Sequence, residues 1–307
     1  MSRDSEVYHA KDLAGGGEIF RRLNPPARLA VFGDPVAHSA SPPMHNAALR
    51  EQNRALQYVR IRVTPEELPD ALRNLASADF LGASLTIPHK QAALPIMDHV
   101  SREAQLMGAI NTVTIREGKL CGFNTDGPGL AAAVSEEFGL SLTQLRVLII
   151  GGAGGAGRAI TIQCALEDCT SITIANRNPA KGDHLAGEIH ESLGKEVTSV
   201  SLDSENLRST LPLVDLIINA TPLGMKADDS SPLPHLAEGL LNARHLVYDT
   251  VYSGGETALL KQARQAGSGC AGGFSMLLHQ GVLQNSLWFG ESAPIETMRK
   301  ALADLRC

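Results

Sequence analysis

Short apolar runs alternate with helix-like segments over the first part of the chain. Runs at Leu29–Phe32, Tyr58–Val63 and Phe80–Ile87 predict strands, and the segments Pro42–Gln52 and Pro65–Ala76 between them predict helices. Strands that alternate with helices are typical of βαβ units with a parallel sheet. The pattern therefore predicts a first α/β domain.

A hairpin and a second alternation follow. Ala109–Ile115 and Leu120–Phe123, joined by the turn Arg116-Glu117-Gly118-Lys119, predict two strands added to the first sheet. The strands predicted beyond residue 140 have helical segments between them, a spacing typical of a doubly wound nucleotide-binding domain. These strands are Val147–Ile150, Ile172–Ala175, Val197–Leu202, Leu216–Asn219 and Leu246–Val251.

The two ends of the chain complete the predicted organisation. Apolar residues at three- and four-residue spacing predict helices over Met276–Trp288 and Ile295–Leu305, which we expect to return to the first domain. Gly15-Gly16-Gly17 and Pro25-Pro26 interrupt the start, where one short helix is predicted around Glu18–Leu23. We expect an extension at 1–26, a first domain at 27–126 joined by 274–307, and a Rossmann-type domain at 127–273.

Composition and charge narrow the choice of partners. The chain of 307 residues is 43% hydrophobic, and its 27 Lys and Arg are scattered within a net charge of −6, which disfavours a nucleic-acid partner. The start Met1–Glu6 is polar, and no run reaches the roughly 18 apolar residues of a membrane span. The five cysteines and ten histidines show no zinc-binding or disulfide spacing. We expect a cytoplasmic protein without a membrane partner or a metal.

A glycine-rich turn follows the first strand of the second domain. Gly152, Gly154 and Gly157 fit the pattern G-x-G-x-x-G directly after Val147–Ile150. Glycine permits a tight turn, a close approach of the pyrophosphate to the backbone, and tight packing of helix against strand. A turn that only connects strand and helix is the alternative, and the strand–turn–helix setting favours dinucleotide binding.

The end of the next predicted strand indicates which dinucleotide is bound. Enzymes that use NAD usually place a carboxylate here to hold the ribose 2′-hydroxyl, but this chain has Asn176-Arg177-Asn178. Arg177 offers a planar cation for a 2′-phosphate, and Lys181 offers a second one a helical turn later. A solvated surface arginine is the alternative reading. The absent carboxylate favours NADP.

Two serines at a predicted strand-to-helix junction are candidates for anion binding. Ser39 and Ser41 lie in Gly33-Asp34-Pro35-Val36-Ala37-His38-Ser39-Ala40-Ser41-Pro42, and their hydroxyls could bind a carboxylate. Ser41 could equally be a helix N-cap with Pro42 at the first helical position. The residues alone leave both readings open.

The order of several motifs resembles that of the shikimate dehydrogenase family over about residues 28–290. The segments in the first domain are Gly33–Asn46, Thr86-Ile87-Pro88-His89-Lys90, Gly108-Ala109-Ile110-Asn111-Thr112 and Asn124-Thr125-Asp126-Gly127. The remaining segments are the glycine-rich turn, Asn176-Arg177, Asn219–Met225, Tyr248–Tyr252 and Gly273–Gln280.

The resemblance implies an NADP-dependent oxidoreductase that reduces 3-dehydroshikimate to shikimate in chorismate and aromatic amino acid biosynthesis, working as a monomer or homodimer. Lys90 and Asp126 would carry the chemistry. Ser39 and Ser41 would bind the substrate carboxylate, with Thr86, Asn111 and Gln280 on its hydroxyls and Tyr252 nearby. The residues implied to line the cofactor are Gly152, Ala153, Gly154, Gly155, Ala156, Asn176, Arg177, Asn178, Lys181, Thr250 and Gly273.

Lys90 also has a reading that requires no resemblance. A lysine close to the start of a helix opened by Pro88 could be a plain surface residue, although a cation there meets the unfavourable end of the helix dipole. A lysine in a substrate site could instead stabilise or protonate a developing alkoxide. The dipole argument favours the functional reading.

Two positions depart from the family pattern. The family usually has Asn-Val-Thr where this chain has Ser84-Leu85-Thr86, and Asn-Pro where it has Ser253-Gly254. Because serine reaches less far than asparagine, we expect weaker binding of shikimate at Ser84, or room for a bulkier ring substituent. A relative that prefers quinate therefore stays open. A nucleotide sensor that has lost catalysis is less favoured, since Lys90, Asp126 and both serines are present.

Overall fold

The structure is a computed structural model that describes residues 6–226, 228–233, 240–252 and 255–305. The chain forms two compact units, with boundaries between Thr125 and Asp126 and between Leu277 and Leu278. The first unit combines the residues before the first boundary with those after the second one. The second unit is the continuous stretch between the boundaries.

A seven-stranded sheet forms the centre of the first unit, in the order β1-β3-β2-β4-β6-β7-β5. Strands β6 and β7 form an antiparallel hairpin, and β6 also lies antiparallel to β4, whereas the other neighbours are parallel. The strands are β1 (Val7–His9), β2 (Ala27–Gly33), β3 (Gln57–Arg62), β4 (Gly82–Leu85), β5 (His99–Val100), β6 (Thr112–Arg116) and β7 (Lys119–Phe123).

The helices of the first unit follow the strands as the alternation predicts. The complete helices are α1 (Glu18–Arg21), α2 (Ser41–Glu51), α3 (Leu68–Ser77), α4 (His89–Ala92), α5 (Arg102–Met107) and α12 (Ile295–Ala303). Short 3-10 turns cover Ala10–Gly16 and Leu94–Ile96. Helix α3 shows why the pattern works: Leu68, Ala71, Leu72 and Leu75 recur at helical spacing and are all buried.

The beginning of the chain differs from the expected extension. Strand β1 adds to the edge of the sheet by pairing with β3. The Phe20 side chain is fully buried, with its ring 5.1 Å from that of Tyr8 and 5.2 Å from that of Phe80. Leu13 is also fully buried in the same apolar cluster. Apolar burial at these positions makes this segment part of the first unit, because the exposed alternative would leave large apolar side chains in water.

The second unit is built on a six-stranded parallel sheet in the order β10-β9-β8-β11-β12-β13. Counted from β8, this is the strand order 3-2-1-4-5-6 of doubly wound dinucleotide-binding domains. The strands are β8 (Arg146–Ile150), β9 (Ser171–Asn176), β10 (Thr198–Ser201), β11 (Leu216–Asn219), β12 (Leu246–Asp249) and β13 (Gly269–Gly272). The predicted class of two α/β domains is confirmed.

Continuous apolar strands explain the centre of this second sheet. Val147–Ile150 and Leu216–Ile218 are fully buried, as expected for strands covered on both faces by helices. The covering helices are α6 (Asp126–Phe138), α7 (Gly155–Leu166), α8 (Pro179–Leu193), α9 (Ser204–Thr210) and α10 (Ala258–Gln265), with 3-10 turns at Leu142–Gln144 and Leu211–Leu213.

The last part of the chain returns to the first unit. Helix α11 (Phe274–Phe289) contains the second boundary, so its residues from Leu278 onward belong to the first unit. There the indole Nε1 of Trp288 donates a hydrogen bond to the Val113 carbonyl of β6 over 3.0 Å. Helix α12 packs against α2. None of the helices within the described ranges has the length and apolarity needed to cross a bilayer.

A buried histidine on α2 makes the first unit sensitive to acid. The His45 ring stacks on Tyr58 at 4.5 Å and is fully buried, and its Nδ1 has no hydrogen-bond partner among the described residues. Burial lowers the pKa of His45 from 6.5 to about 4, with the hydrogen bond to Gln284 opposing the shift. Stability from the neutral ring is therefore present above pH 6.5 and is lost as the pH falls from 6.5 towards 4.

We expect His45→Phe to flatten this acid dependence while keeping the aromatic stack. Between pH 7.5 and 4.5 the unmutated chain should lose roughly 2–3 kcal/mol more unfolding free energy than the variant, because one pKa unit corresponds to about 1.4 kcal/mol. Urea titrations followed by the fluorescence of Trp288, the chain's single tryptophan, measure the first unit directly. The exposed His99 provides the control His99→Phe. Parallel pH curves for His45→Phe and the unmutated chain would contradict the assignment.

Candidate active site

Candidate residues of the first unit gather at one edge of its sheet. Strands β2 and β4 are parallel, so both end at the same edge, and β6 begins there because it runs antiparallel to β4. Ser39 lies in the loop after β2 and Ser41 begins the helix that follows it. Lys90 lies in the short helix after β4, and Asn111 immediately precedes β6. We call this the carboxyl edge, after the ends of β2 and β4.

The serine loop, residues 34–40, connects β2 to α2. The amide of Ser41 donates to the Ser39 hydroxyl oxygen over 3.3 Å, and Arg60 of β3 donates from Nη2 to the Ser39 carbonyl over 2.6 Å. Ser41 is itself the first residue of α2, and Ala40 occupies the N-cap position without a side-chain cap. The capping role considered for Ser41 is therefore wrong, and its side chain lies beside the Tyr58 phenol.

Thr86 and Lys90 lie where β4 gives way to α4. A Cβ atom on Gly33 would come within 2.5 Å of the Thr86 methyl carbon, so the ends of β2 and β4 touch at a position where only glycine fits. The Thr86 carbonyl accepts from the His89 amide over 2.8 Å, and the Lys90 carbonyl accepts from the Ile110 amide over 2.7 Å. The Lys90 side chain is half-buried. These backbone bonds fix both residues beside the segment that carries Asn111.

Asn111 ties the start of β6 to the end of β7. Its Nδ2 donates to the Thr125 hydroxyl over 2.9 Å, and its Oδ1 accepts from the Thr125 amide over 2.8 Å and from the Thr112 hydroxyl over 2.7 Å. The side chain is 1% exposed. Asp126 follows directly in the chain as the buried first residue of α6, in the second unit.

Two residues that sequence reasoning missed, Tyr58 and Gln284, hydrogen-bond Ser84. The Tyr58 phenol donates to the Ser84 hydroxyl over 2.7 Å, and Ser84 donates to Oε1 of Gln284 over 2.8 Å. Burial raises the pKa of Tyr58, so its phenol stays protonated. The Ser84 hydroxyl thus forms hydrogen bonds with two protein side chains, Tyr58 and Gln284. Polar Gln284 within the apolar helix α11, four residues after Gln280, was the available signal.

In the second unit the glycine loop, Gly151–Gly157, connects β8 to α7. Gly151 has φ of +77°, and a Cβ atom on Gly157 would lie 2.1 Å from the Gly151 carbonyl oxygen. Gly154 is the N-cap of α7, and residues 154–156 are exposed. The turn is thus too tight for a side chain at Gly151, Gly152 and Gly157, and it presents exposed backbone at a helix N-terminus, which suits a phosphate group.

The end of β9 is attached to this loop. Oδ1 of Asn176 accepts from the Ala153 amide over 3.1 Å, while its buried Nδ2 has no partner among the described residues. Arg177, Asn178 and Lys181 follow and are all exposed. The structure therefore brings the candidate cations and the glycine loop together within the second unit.

Thr250 and Gly273 are also in contact within the second unit. A Cβ atom on Gly273 would lie 2.2 Å from the Thr250 carbonyl oxygen, and the Gly273 amide donates to the Val251 carbonyl over 3.2 Å. Tyr252 is 43% exposed and packs against Phe274. The departure at Ser253-Gly254 lies outside the described residues.

Asn219 and Asp249 organise the loops at the ends of β11 and β12. Asn219 donates from Nδ2 to Asp249 over 2.9 Å and accepts the Thr221 hydroxyl over 2.7 Å. Asp249 also accepts from the Thr257 hydroxyl over 2.6 Å, and burial raises its pKa. No group of three or more His, Cys, Asp or Glu side chains in the part of the chain that the structure describes could hold a metal ion.

Three family models match the chain. Residues 31–113 match the shikimate dehydrogenase substrate binding domain, residues 132–225 match shikimate/quinate 5-dehydrogenase, and residues 273–303 match the shikimate 5'-dehydrogenase C-terminal domain. The first and second matches cover the carboxyl edge and the glycine loop, respectively.

Similar proteins carry related names. The shikimate dehydrogenase (NADP(+)) of Methanopyrus kandleri is 39% identical over 276 residues, which cover 90% of this chain and 94% of that protein. Shikimate 5-dehydrogenase of Thermus thermophilus, solved with NADP(H) and shikimate, has a TM-score of 0.80 at 37% identity and covers 91% and 99% of the two chains. Quinate dehydrogenase of Corynebacterium glutamicum, solved with NAD, has a TM-score of 0.79 at 31% identity and covers 90% and 98%. The chain belongs to the shikimate dehydrogenase family.

Proposed function

We propose that the chain is an NADP-dependent shikimate dehydrogenase that interconverts 3-dehydroshikimate and shikimate, in the reductive direction for chorismate and aromatic amino acid biosynthesis. The observation that carries the proposal is the carboxyl edge of the first unit. Hydroxyl, amide and ammonium groups lie on the three segments at this edge, after β2, after β4 and before β6, which suits a small substrate with one carboxylate and several hydroxyls.

Each group at this edge has a proposed part in substrate binding. The hydroxyls of Ser39 and Ser41 donate to the carboxylate, and Thr86 and Gln280 hydrogen-bond the ring hydroxyls. Oδ1 of Asn111 already accepts from Thr112 and Thr125, so its contact with a substrate hydroxyl is donation from Nδ2. Tyr252 is the proposed contribution of the loop after β12.

The second unit offers a site that fits NADP. The glycine loop can hold the pyrophosphate on its backbone amides, since residues 154–156 are exposed and carry no side chain larger than a methyl group. Arg177 and Lys181 supply positive charge for the 2′-phosphate, and Asn176 and Asn178 flank them. The Asn176 side chain suits a place in this cofactor site, because its buried Nδ2 is a hydrogen-bond donor that has no acceptor among the described residues. Thr250 and Gly273 complete the proposed cofactor site.

Lys90 and Asp126 carry the proposed proton chemistry. When bound, the cofactor would supply a hydride as NADPH or accept one as NADP⁺. Lys90 donates a proton to the oxygen of the reacting carbon as negative charge develops there, or withdraws it in the opposite direction. Asp126 is the proposed acceptor for a substrate hydroxyl.

A broader substrate range that includes quinate is the second candidate. A quinate dehydrogenase is among the similar structures, and Ser84 is a smaller side chain than the asparagine usual in the family. A cytoplasmic location and a monomeric or homodimeric state also stay predictions.

The decisive experiment follows reduced nicotinamide by its absorbance with each substrate and cofactor. We expect the purified chain to oxidise shikimate with NADP, to use quinate less well, and to reduce 3-dehydroshikimate with NADPH. Faster turnover of quinate would favour the second candidate. Cofactor binding without turnover of either substrate would refute the proposed enzyme and favour a nucleotide sensor.

Replacement of Lys90 should separate catalysis from binding. We expect Lys90→Ala to lower kcat by at least ~10² with a smaller change in the shikimate KM, because the lost interaction acts mainly in the transition state. Gln91→Ala is the matched control, since Gln91 is the exposed neighbour in the same helix. Initial rates over a range of shikimate concentrations give both constants. A near-normal kcat would remove Lys90 from the mechanism.

Arg177 should determine the cofactor preference. A charge-assisted contact with the 2′-phosphate is worth roughly 1.5–3 kcal/mol, so Arg177→Ala should raise the KM for NADP about ten-fold or more and leave that for NAD nearly unchanged. Arg208→Ala removes the same charge from an exposed position on α9 and serves as the control. The assignment would fail if the unmutated chain used NAD and NADP equally well.

A further inference from the structure

A chain of buried hydrogen bonds in the first unit runs from Tyr58 of β3 to α11. The Tyr58 phenol lies beside the side chain of Ser41, the first residue of α2, and donates to Ser84 over 2.7 Å. Ser84 in turn donates to Oε1 of Gln284 over 2.8 Å. All four residues are at most 7% exposed. Residues from β3, β4 and α11 are thereby connected next to the start of α2 without an exposed link.

Gln284 is the junction of this network. Its Oε1 accepts a second hydrogen bond from Nε2 of His45 over 3.2 Å, and its Nε2 lies 3.4 Å from the Asn111 carbonyl as a donor. The amide is therefore oriented by different partners at its two ends. Oε1 connects to α2 directly through His45, four residues after Ser41, and through Ser84 to the Tyr58 phenol beside Ser41. Nε2 connects directly to the segment of Asn111.

The two segments joined in this way serve opposite ends of the proposed substrate. Ser41 is assigned to the carboxylate, and Asn111 to a ring hydroxyl. Gln280, which is also assigned to the substrate hydroxyls, precedes Gln284 by four residues. It therefore lies one turn away on the same face of α11. Gln284 itself is 1% exposed, so its amide is placed to support the substrate residues from behind.

We propose that Gln284 is a positioning residue for the substrate site, which fixes Ser41 relative to Asn111 through Ser84 and Tyr58. This inference rests on the proposed function. Supporting hydrogen bonds of this kind matter because they hold the binding side chains in the geometry that the substrate requires. A site whose side chains are held loosely binds its substrate less tightly.

Removal of the amide leaves specific groups without a partner. Ser84 and His45 would each lose a buried acceptor, and a buried donor without an acceptor forces neighbouring groups to move or to admit water. Tyr58 depends on Ser84 and would shift with it. The Ser41 hydroxyl would then sample several positions, which weakens substrate binding more than it slows the chemical step.

Gln284→Met tests the proposal, because methionine keeps the length of the side chain and removes both polar ends. We expect a shikimate KM about five-fold higher, equivalent to about 1 kcal/mol, with kcat within two-fold and the KM for NADP unchanged. The matched control is Asn285→Leu: Asn285 is the next residue of α11, is equally buried, and pairs with Gln52 instead. It should lose stability in urea with its shikimate KM within two-fold of the unmutated value.

A double-mutant cycle separates positioning from general damage. In a Ser41→Ala background the target of the network is gone, so Gln284→Met should raise the shikimate KM by less than two-fold there. Ser84→Ala is the milder second variant, because it cuts the link to Tyr58 while Gln284 keeps His45 and Asn111. We expect it to raise KM about three-fold, and this effect should also vanish with Ser41→Ala.

The possible failures are distinct. Equal effects of Gln284→Met in both backgrounds, or an equal rise in KM for Asn285→Leu, would overturn the positioning role. If Gln284→Met does not fold, an unchanged KM in Ser84→Ala would overturn it. The unmutated chain is assayed alongside, and its failure to oxidise shikimate would refute the proposed function, and with it this inference.

Discussion

The Asn111 carboxamide holds together the strand ends on which the candidate substrate site depends. Its two polar atoms satisfy both the amide and the hydroxyl of Thr125, so the start of β6 and the end of β7 are fastened by one side chain. The Asn111 backbone carbonyl accepts from the Leu85 amide over 2.8 Å, which adds the end of β4 to the same junction. Buried backbone groups at strand ends need such partners, because no water can replace them there.

Much of the fold could be predicted from the sequence, because its central strands are apolar and its helices are amphipathic. The elements that escaped prediction have weaker local signals. Strand β13 reads Gly-Cys-Ala-Gly and contains no residue with high β propensity, so only pairing with β12 makes it a strand. Strand β1 is three residues long, and the glycines after it suggested an extension, although Phe20 and Leu13 are fully buried. Both segments form strands because of their contacts with the rest of the fold, which the local sequence does not reveal.

Some features of the candidate site are visible in short sequence motifs, whereas others depend on contacts between residues far apart in the chain. The glycine loop and the serine loop are continuous in sequence, and their residue types already indicate phosphate and carboxylate binding. Ser41 shows the limit of local rules, since a serine before proline is a common helix cap and here is not one. The contact between Ser84 and Gln284 joins residues 200 positions apart, so no short-range pattern could predict it. The departure at Ser84 was visible in the sequence, but its hydrogen-bond partners were not.

The boundary within α11 has a consequence for the order in which the protein acquires its structure on the ribosome. The second unit is one continuous stretch, so all of its residues are available before the chain ends. The first unit needs α12 against α2 and Trp288 against β6, and these residues are made after the whole of the second unit. Because domains fold as units as synthesis proceeds, the cofactor half can fold while the earlier half still waits for its closing helices. During that interval the residues of the sheet and of α2 that those helices later cover remain uncovered, which makes the first unit the part most dependent on protection by chaperones.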